Sequence, residues 1–107
     1  MDDNFREFFI FLDSSMENEI YINFTYSQDF SFVIDFVLIY LTNVNGVFKE
    51  VVKFDCSQKE LIHAHYFFKK YSWKDNLELL PTVDTLFSLK GNLVKDWQKY
   101  LVKFNEG

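Results

Sequence analysis

The chain has 107 residues, 49% hydrophobic and 21% aromatic, with a formal net charge of −5 and a single cysteine. That length builds one compact domain and is too short for two separate cores. The lone cysteine excludes an intrachain disulfide, which suits a reducing compartment, and the acidic balance argues against nucleic-acid binding through a diffuse basic field.

The opening MDDNFREFF is acidic where a secretory leader is basic. The longest apolar stretch, SFVIDFVLIYL, contains Asp35 and spans about eleven residues, against roughly 20 for a membrane helix. The expectation is a cytoplasmic protein with no membrane partner.

FREFFIFLD (5–13) has Phe5, Phe8, Phe9 and Leu12 at helical spacing, but its aromatic density favours a strand. DSSMENE (13–19) is polar and turn-like. EIYINFTY (19–26) alternates, with Ile20, Ile22, Phe24 and Tyr26 on one face and Tyr21, Asn23 and Thr25 on the other. SQDF (27–30) connects to SFVIDFVLIYLT (31–42), which is apolar on both faces and reads as a central strand. NVNG (43–46) ends in Asn-Gly, the strongest short hairpin signal, so VFKEVVKFD (47–55) should be its partner. CSQKELI (56–62) reads as a loop and HAHYFFKKY (63–71) as the next strand.

The period then changes. Beyond Pro81, which suits a first turn, Leu86, Leu89, Leu93, Trp97, Tyr100, Leu101 and Phe104 recur every three or four residues, as in an amphipathic helix. Gly91-Asn92 either ends one helix and caps a second or kinks a single longer one. The elements assemble into a single α+β domain over residues 1–107. It is an antiparallel four- to five-stranded meander sheet with a C-terminal helix or helix pair packed on one face.

Charge is unevenly distributed. Residues 1–48 hold eight acids and one base, a net −7, while residues 49–107 hold eight acids and ten lysines, a net +2. The acidic first half could meet a basic partner.

The richest chemistry lies in KFDCSQKELIHAHYFF (53–68), which holds both histidines and the cysteine. Strand alternation puts His63, His65, Phe67 and Lys69 on one face and Ile62, Ala64, Tyr66 and Phe68 on the other. On the preceding strand Val51, Lys53 and Asp55 share a face, opposed to Phe48, Val52 and Phe54. Pairing the apolar faces sets Asp55 opposite His63 and Lys53 opposite His65, with Cβ atoms about 4.5–5.5 Å apart. Two histidines can act as general base and general acid, a carboxylate can orient a ring, and an ammonium can hold a phosphate. That set suits cleavage of RNA by its own 2′-hydroxyl, with no metal or other cofactor. His-x-His with a carboxylate also suits a divalent metal, but a third firm ligand is hard to place. The bland alternative is a group of ordinary residues on the wet face of a half-exposed hairpin.

Lys69, Lys70 and Tyr71, set among Tyr66, Phe67, Phe68, Trp73 and Lys74, are the expected substrate contacts, since aromatics between lysines can stack bases and grip phosphates. More often such aromatics are core. Asp35, inside an apolar strand, must be paired, protonated or on an exposed face, and a lysine or hydroxyl partner is the simplest answer. Cys56 reads as a loop cysteine without a role, because no glycine-rich stretch supplies an oxyanion site for it.

The second half resembles the TumE-like toxin family of toxin–antitoxin pairs. The resemblance rests on the Phe54-Asp55 step, the polar loop CSQKELI, the element HAH at 63–65 and the helical TVDTLFSLKGNLVKDW at 82–97, across roughly residues 31–104. Cys56 stands where the family often has asparagine. The resemblance implies a ribonuclease-like toxin neutralised by an antitoxin protein, often of nucleotidyltransferase type, with His63 and His65 as the functional pair beside Asp55. Two other classes compete. An acidic inhibitor or nucleic-acid mimic needs carboxylates from residues 2–35 gathered on one face. A non-catalytic interaction subunit, forming a homodimer or heterodimer, needs an exposed aromatic patch above a few hundred Å².

Overall fold

A computed structural model of the chain describes residues 4–28, 33–57, 60–68 and 72–106. Among these residues, six strands precede one helix: β1 (Phe5–Phe11), β2 (Asn18–Tyr26), β3 (Val33–Val44), β4 (Val47–Ser57), β5 (Glu60–Phe67), β6 (Ser72–Asn76) and α1 (Val83–Asn105). Every strand pairs antiparallel with the next, so the spatial order is the sequence order and the sheet is a plain meander. The expected α+β class and topology hold, with six strands rather than four or five. β6 was not expected because SWKDN is short and polar, and all five of its residues are exposed.

Side-chain alternation gives the sheet two unlike faces. Ile22, Leu38, Val52, Ile62 and Ala64 are fully buried on one of them. α1 closes this face with Leu86, Leu93 and Phe104, and Leu89, Trp97, Tyr100 and Leu101 pack around them. Ring contacts fix where it crosses. Phe87 meets Phe24 of β2 at 5.9 Å, Trp97 meets Tyr40 of β3 at 6.1 Å, and Tyr100 meets Tyr66 of β5 at 6.5 Å. The helix is single, about 35 Å long, and runs through Gly91, which neither ends it nor starts a second. Thr82 caps it, its hydroxyl accepting from the Thr85 N–H at 3.1 Å. Pro81 lies just before the first turn, and its carbonyl accepts from Val33 N–H, which ties the start of the helix to the start of β3.

Two turns show their chemistry plainly. Asn45 and Gly46 both take positive φ (54° and 89°), the geometry of a two-residue hairpin loop whose twist matches the strands it joins. Between β1 and β2, the Asp13 carboxylate accepts from Ser15 Oγ, Glu17 N–H, Asn18 N–H and Asn18 Nδ2. The Asn18 amide is the main reason the Asp13 carboxyl is held below its ordinary range. Asn18 is buried, and its Oδ1 accepts from Tyr40 Oη at 2.6 Å and Thr42 Oγ1 at 2.8 Å, which anchors the turn to the covered face.

Two expected boundaries move. β4 runs on to Ser57 and β5 begins at Glu60, so CSQKELI is mostly strand. Cys56 pairs opposite Phe36, and Ile62 is fully buried; the polar residues between hid this continuation. A bulge beside Tyr40 inserts Val51 into β4, and Val51 and Val52 are both buried. Beyond it the alternation inverts. Phe48 therefore pairs with Asn43 on the face of Lys53 and Asp55, not with Val52 and Phe54, and Val51 leaves that face.

Candidate functional site

The face opposite α1 is open to solvent, and the registers arrange it in cross-strand rows. One row runs Glu7, Asn23, Val37, Asp55, His63, Asn76, from β1 to β6. The next runs Phe9, Tyr21, Ile39, Lys53, His65, Lys74. Neighbours within a row sit on strands about 4.8 Å apart. Asp55 opposite His63 and Lys53 opposite His65 is the pairing the apolar pattern of the hairpin anticipates.

The side chains refine it. Asp55 does not turn to the imidazole straight across. Its Oδ1 lies 3.6 Å from His65 Nε2, on the diagonal, and its Oδ2 lies 3.7 Å from Lys53 Nζ. His63 Nδ1 lies 3.0 Å from the carbonyl of Leu61. A carbonyl can only accept, so Nδ1 carries the hydrogen there and Nε2 is the proton-accepting nitrogen of the neutral ring. The Lys53 and His65 side chains are 30% exposed and that of Asp55 31%, so all three are reachable from solvent yet held. The His65 ring stacks beside Phe67, nearly coplanar in orientation at 10° and 6.3 Å between centroids. Two residues apart on one strand, the imidazoles are roughly 7 Å from each other along the chain.

Sequence reasoning set Lys74 among the aromatic–lysine neighbours but missed its place opposite His65, and missed Asn76 opposite His63, because it assigned no strand there. It also missed the far end of the rows, where the Phe9 and Tyr21 rings meet at 4.8 Å, tilted by 48°, and Tyr21 Oη donates to Glu7 Oε2 at 2.6 Å. That bond is the main reason the Tyr21 hydroxyl titrates above the usual phenol range. The expected contacts Lys69, Lys70 and Tyr71 lie outside the described residues. Of the neighbouring aromatics, Phe67 faces the open side. Tyr66 and Phe68 pack with Trp73, the Tyr66–Trp73 centroids being 4.5 Å apart, and Tyr66 also stacks on Tyr100 of the helix. They belong to the covered side.

Cys56 sits in β4 rather than in a loop. It is buried, and burial pushes its thiol up to about 11, far from a thiolate at neutral pH. Asp35 lies half-buried on the open face opposite Thr25. That is the exposed-face alternative among those the sequence left open, set across from the Thr25 side chain. Among the described residues, no three His, Cys, Asp or Glu side chains converge as a metal site, and no helix is long and apolar enough to cross a membrane.

Because the meander keeps sequence order, the charge asymmetry of the chain becomes an asymmetry in space. β1 to β3, from the acidic half, bring Glu7, Glu19 and Asp35 to the open face, while β4 to β6 bring Lys53 and Lys74 balanced by Glu50 and Asp55, beside His63 and His65.

Fold and face together define a class: a small α+β protein whose antiparallel meander is closed by one helix on one side and carries a titratable cluster on the other. The chain belongs to the family DUF7718, described as a domain of unknown function, whose model matches residues 3–107. No curated protein and no solved structure matches it.

Proposed function

We propose that the open face binds single-stranded RNA and cleaves it without a metal, as the toxin of a toxin–antitoxin pair whose partner is a nucleotidyltransferase-like antitoxin. The observation that carries this reading is the contact of Asp55 with both His65 and Lys53, beside His63, on a face the helix leaves uncovered. His63 Nε2 takes the proton of the 2′-hydroxyl, and the resulting oxyanion attacks phosphorus. The bond from phosphorus to the 5′-oxygen breaks, and protonated His65 gives its proton to that oxygen. With His65 Nε2 turned to Asp55, Nδ1 is the nitrogen that serves the leaving group, and the carboxylate stabilises the imidazolium until transfer. Lys53 and Lys74 hold the phosphate. The imidazole separation of roughly 7 Å suits one phosphodiester between base and acid. Phe67, Phe9 and Tyr21 offer flat surfaces for bases along the same rows. The toxin and antitoxin roles rest on the resemblance of residues 31–104 to TumE-like proteins.

The test is His63→Ala with His65→Ala. Cleavage of single-stranded RNA, and growth inhibition on expression, should fall by about 100- to 10,000-fold while the circular dichroism spectrum is kept. Undiminished cleavage by the double variant would end the reading.

A second reading has its own observation. Glu7, Glu19 and Asp35 share the open face, so a basic partner protein could dock at the β1–β3 end as it would on nucleic acid. That binding would fade steeply with salt and survive loss of the histidines.

A further inference from the structure

The two edges of the sheet are unlike. β6 is five residues long and carries Lys74 and Asp75, the kind of charged, short edge that resists pairing. β1 is seven residues, FREFFIF, with Phe5, Phe8, Phe9 and Phe11 exposed by 44, 45, 62 and 49%. Among the described residues no strand pairs with its outer side. We propose that this edge pairs with β1 of a second copy of the chain, antiparallel about a two-fold axis at Phe8, to give a continuous twelve-stranded sheet.

Backbone parity makes the edge self-complementary. Leu12 N–H donates to Asn18 O, and Tyr26 N–H donates to Asn4 O, so the even residues of β1 turn their amides toward β2. The odd residues, Phe5, Glu7, Phe9 and Phe11, therefore turn theirs outward. An axis at Phe8 sets Phe5 opposite Phe11 and Glu7 opposite Phe9 of the second copy. All four odd residues of each strand then exchange bonds, about eight across the pair. One adjustment falls at Phe5, whose carbonyl now accepts from the guanidinium of its neighbour Arg6 and would exchange that donor for an amide.

Side chains choose the same register. A two-fold axis normal to the sheet keeps faces alike, so it can fall on Arg6, Glu7, Phe8 or Phe9. The first two set a charge directly against its own copy, which is unfavourable. An axis at Phe9 leaves Phe5 beyond the overlap. Phe8 is the midpoint, and it sets an aromatic ring on itself. Beside it is a groove of about 150 Å³, lined by Phe8, Phe9, Ile10, Ile22, Phe87 and Lys90, on the side of the strand that carries Phe8. The exposed parts of these four phenylalanines, backbone included, amount to about two whole residues per copy, on the order of 400 Å². Fully covered in two copies, that is about 800 Å², close to the roughly 1,000 Å² that a specific interface needs.

β1 is also at the acidic end of the sheet, so two copies repel at long range. Added salt should tighten the dimer, whereas a basic foreign strand on this edge would be released by salt.

Sedimentation of the full chain over a concentration series tests the proposal. Monomer–dimer exchange is expected, with tighter association at higher salt; a chain monomeric up to roughly 1 mM overturns it. Phe9→Pro removes an outward N–H that β2 does not use, so it should weaken the dimer at least about tenfold with the monomer still folded. Phe9→Ala keeps that N–H and controls for loss of the ring; equal weakening by both would refute backbone pairing. Phe8→Cys supplies the register. Facing residues whose amides point away lie about 4.5 Å apart at Cα, within disulfide range, and Cys56 is buried and does not compete. Mild oxidation should crosslink Phe8→Cys readily and Phe9→Cys poorly. The reverse order would overturn the axis at Phe8.

Discussion

The covered and open faces of the sheet are built from the same strands, alternate residue by alternate residue. Leu38 and Ile39 are neighbours in β3, yet Leu38 is fully buried under α1 and Ile39 is half-covered on the open side. The covered face joins the buried polar groups of Asn18, Tyr40 and Thr42 in one set of bonds. The open face leaves Lys53, Asp55 and His65 in longer contacts of 3.6–3.7 Å, each side chain about a third exposed to solvent. One helix thus divides the labour. Cohesion lies on the side it covers, and titratable chemistry lies on the side it does not.

That division is broken most directly by comparing adjacent residues. Leu38→Ala should cost about 2–5 kcal/mol, since the helix cannot collapse into the space left. Ile39→Ala should cost about 1 kcal/mol, because only part of its surface is withdrawn from water. His63→Ala and His65→Ala should each stay within about 0.5 kcal/mol. Urea denaturation measures all four, and equal losses at positions 38 and 39 would show that the open face is sealed by something else.

A smaller effect sharpens the same contrast on polar ground. Asn18→Ala removes the acceptor of both Tyr40 and Thr42 where water does not reach, at a cost of about 2 kcal/mol. Adding Tyr40→Phe should recover part of the loss, because the stranded hydroxyl is then gone. Tyr40 is almost never ionised, burial holding its hydroxyl far above the usual range. No recovery in the double variant would mean that the network matters for its shape rather than its satisfied bonds. Smaller again, and of opposite sign, is Gly91→Ala. An added Cβ meets nothing within 4 Å, and the site is an exposed helix interior. Stability should rise by about 0.5–1 kcal/mol in thermal melts.

Much of this was legible in the chain, for identifiable reasons. The β4–β5 register follows from matching Phe54 with Ala64, and it carried Asp55 and Lys53 to their places opposite the histidines. Asn45-Gly46 announced its own turn. The bulge at Val51 was not legible, because VFKEVVKFD is apolar at Val51 and at Val52 and a one-residue insertion leaves no mark on such a pattern. β6 was hidden by its brevity and polarity, and with it the place of Lys74. The single helix was ambiguous because glycine at position 91 costs only about 1 kcal/mol, too little to stop a helix whose apolar stripe continues on both sides. Which carboxylate oxygen meets which imidazole depends on rotamers, and alternation says nothing of those.

The least of the expected effects comes from the end of the sheet where the two faces share a turn. Asp13 lies on the surface but accepts four hydrogen bonds, the strongest from the Asn18 amide, and its carboxyl is held below the ordinary value. A depressed folded-state value means that the unfolded chain binds the proton more readily. The stabilisation is therefore complete above about pH 4, where the free carboxylate is ionised, and is lost as pH falls through the lower folded value. Asp13→Asn keeps one accepting oxygen and removes the titration. The gap in melting temperature between the parent chain and this variant should be constant above about pH 4 and narrow below it. A gap that widens in acid would mean that the turn is held by the neutral carboxyl, and that the anchor between turn and covered face has been assigned to the wrong protonation state.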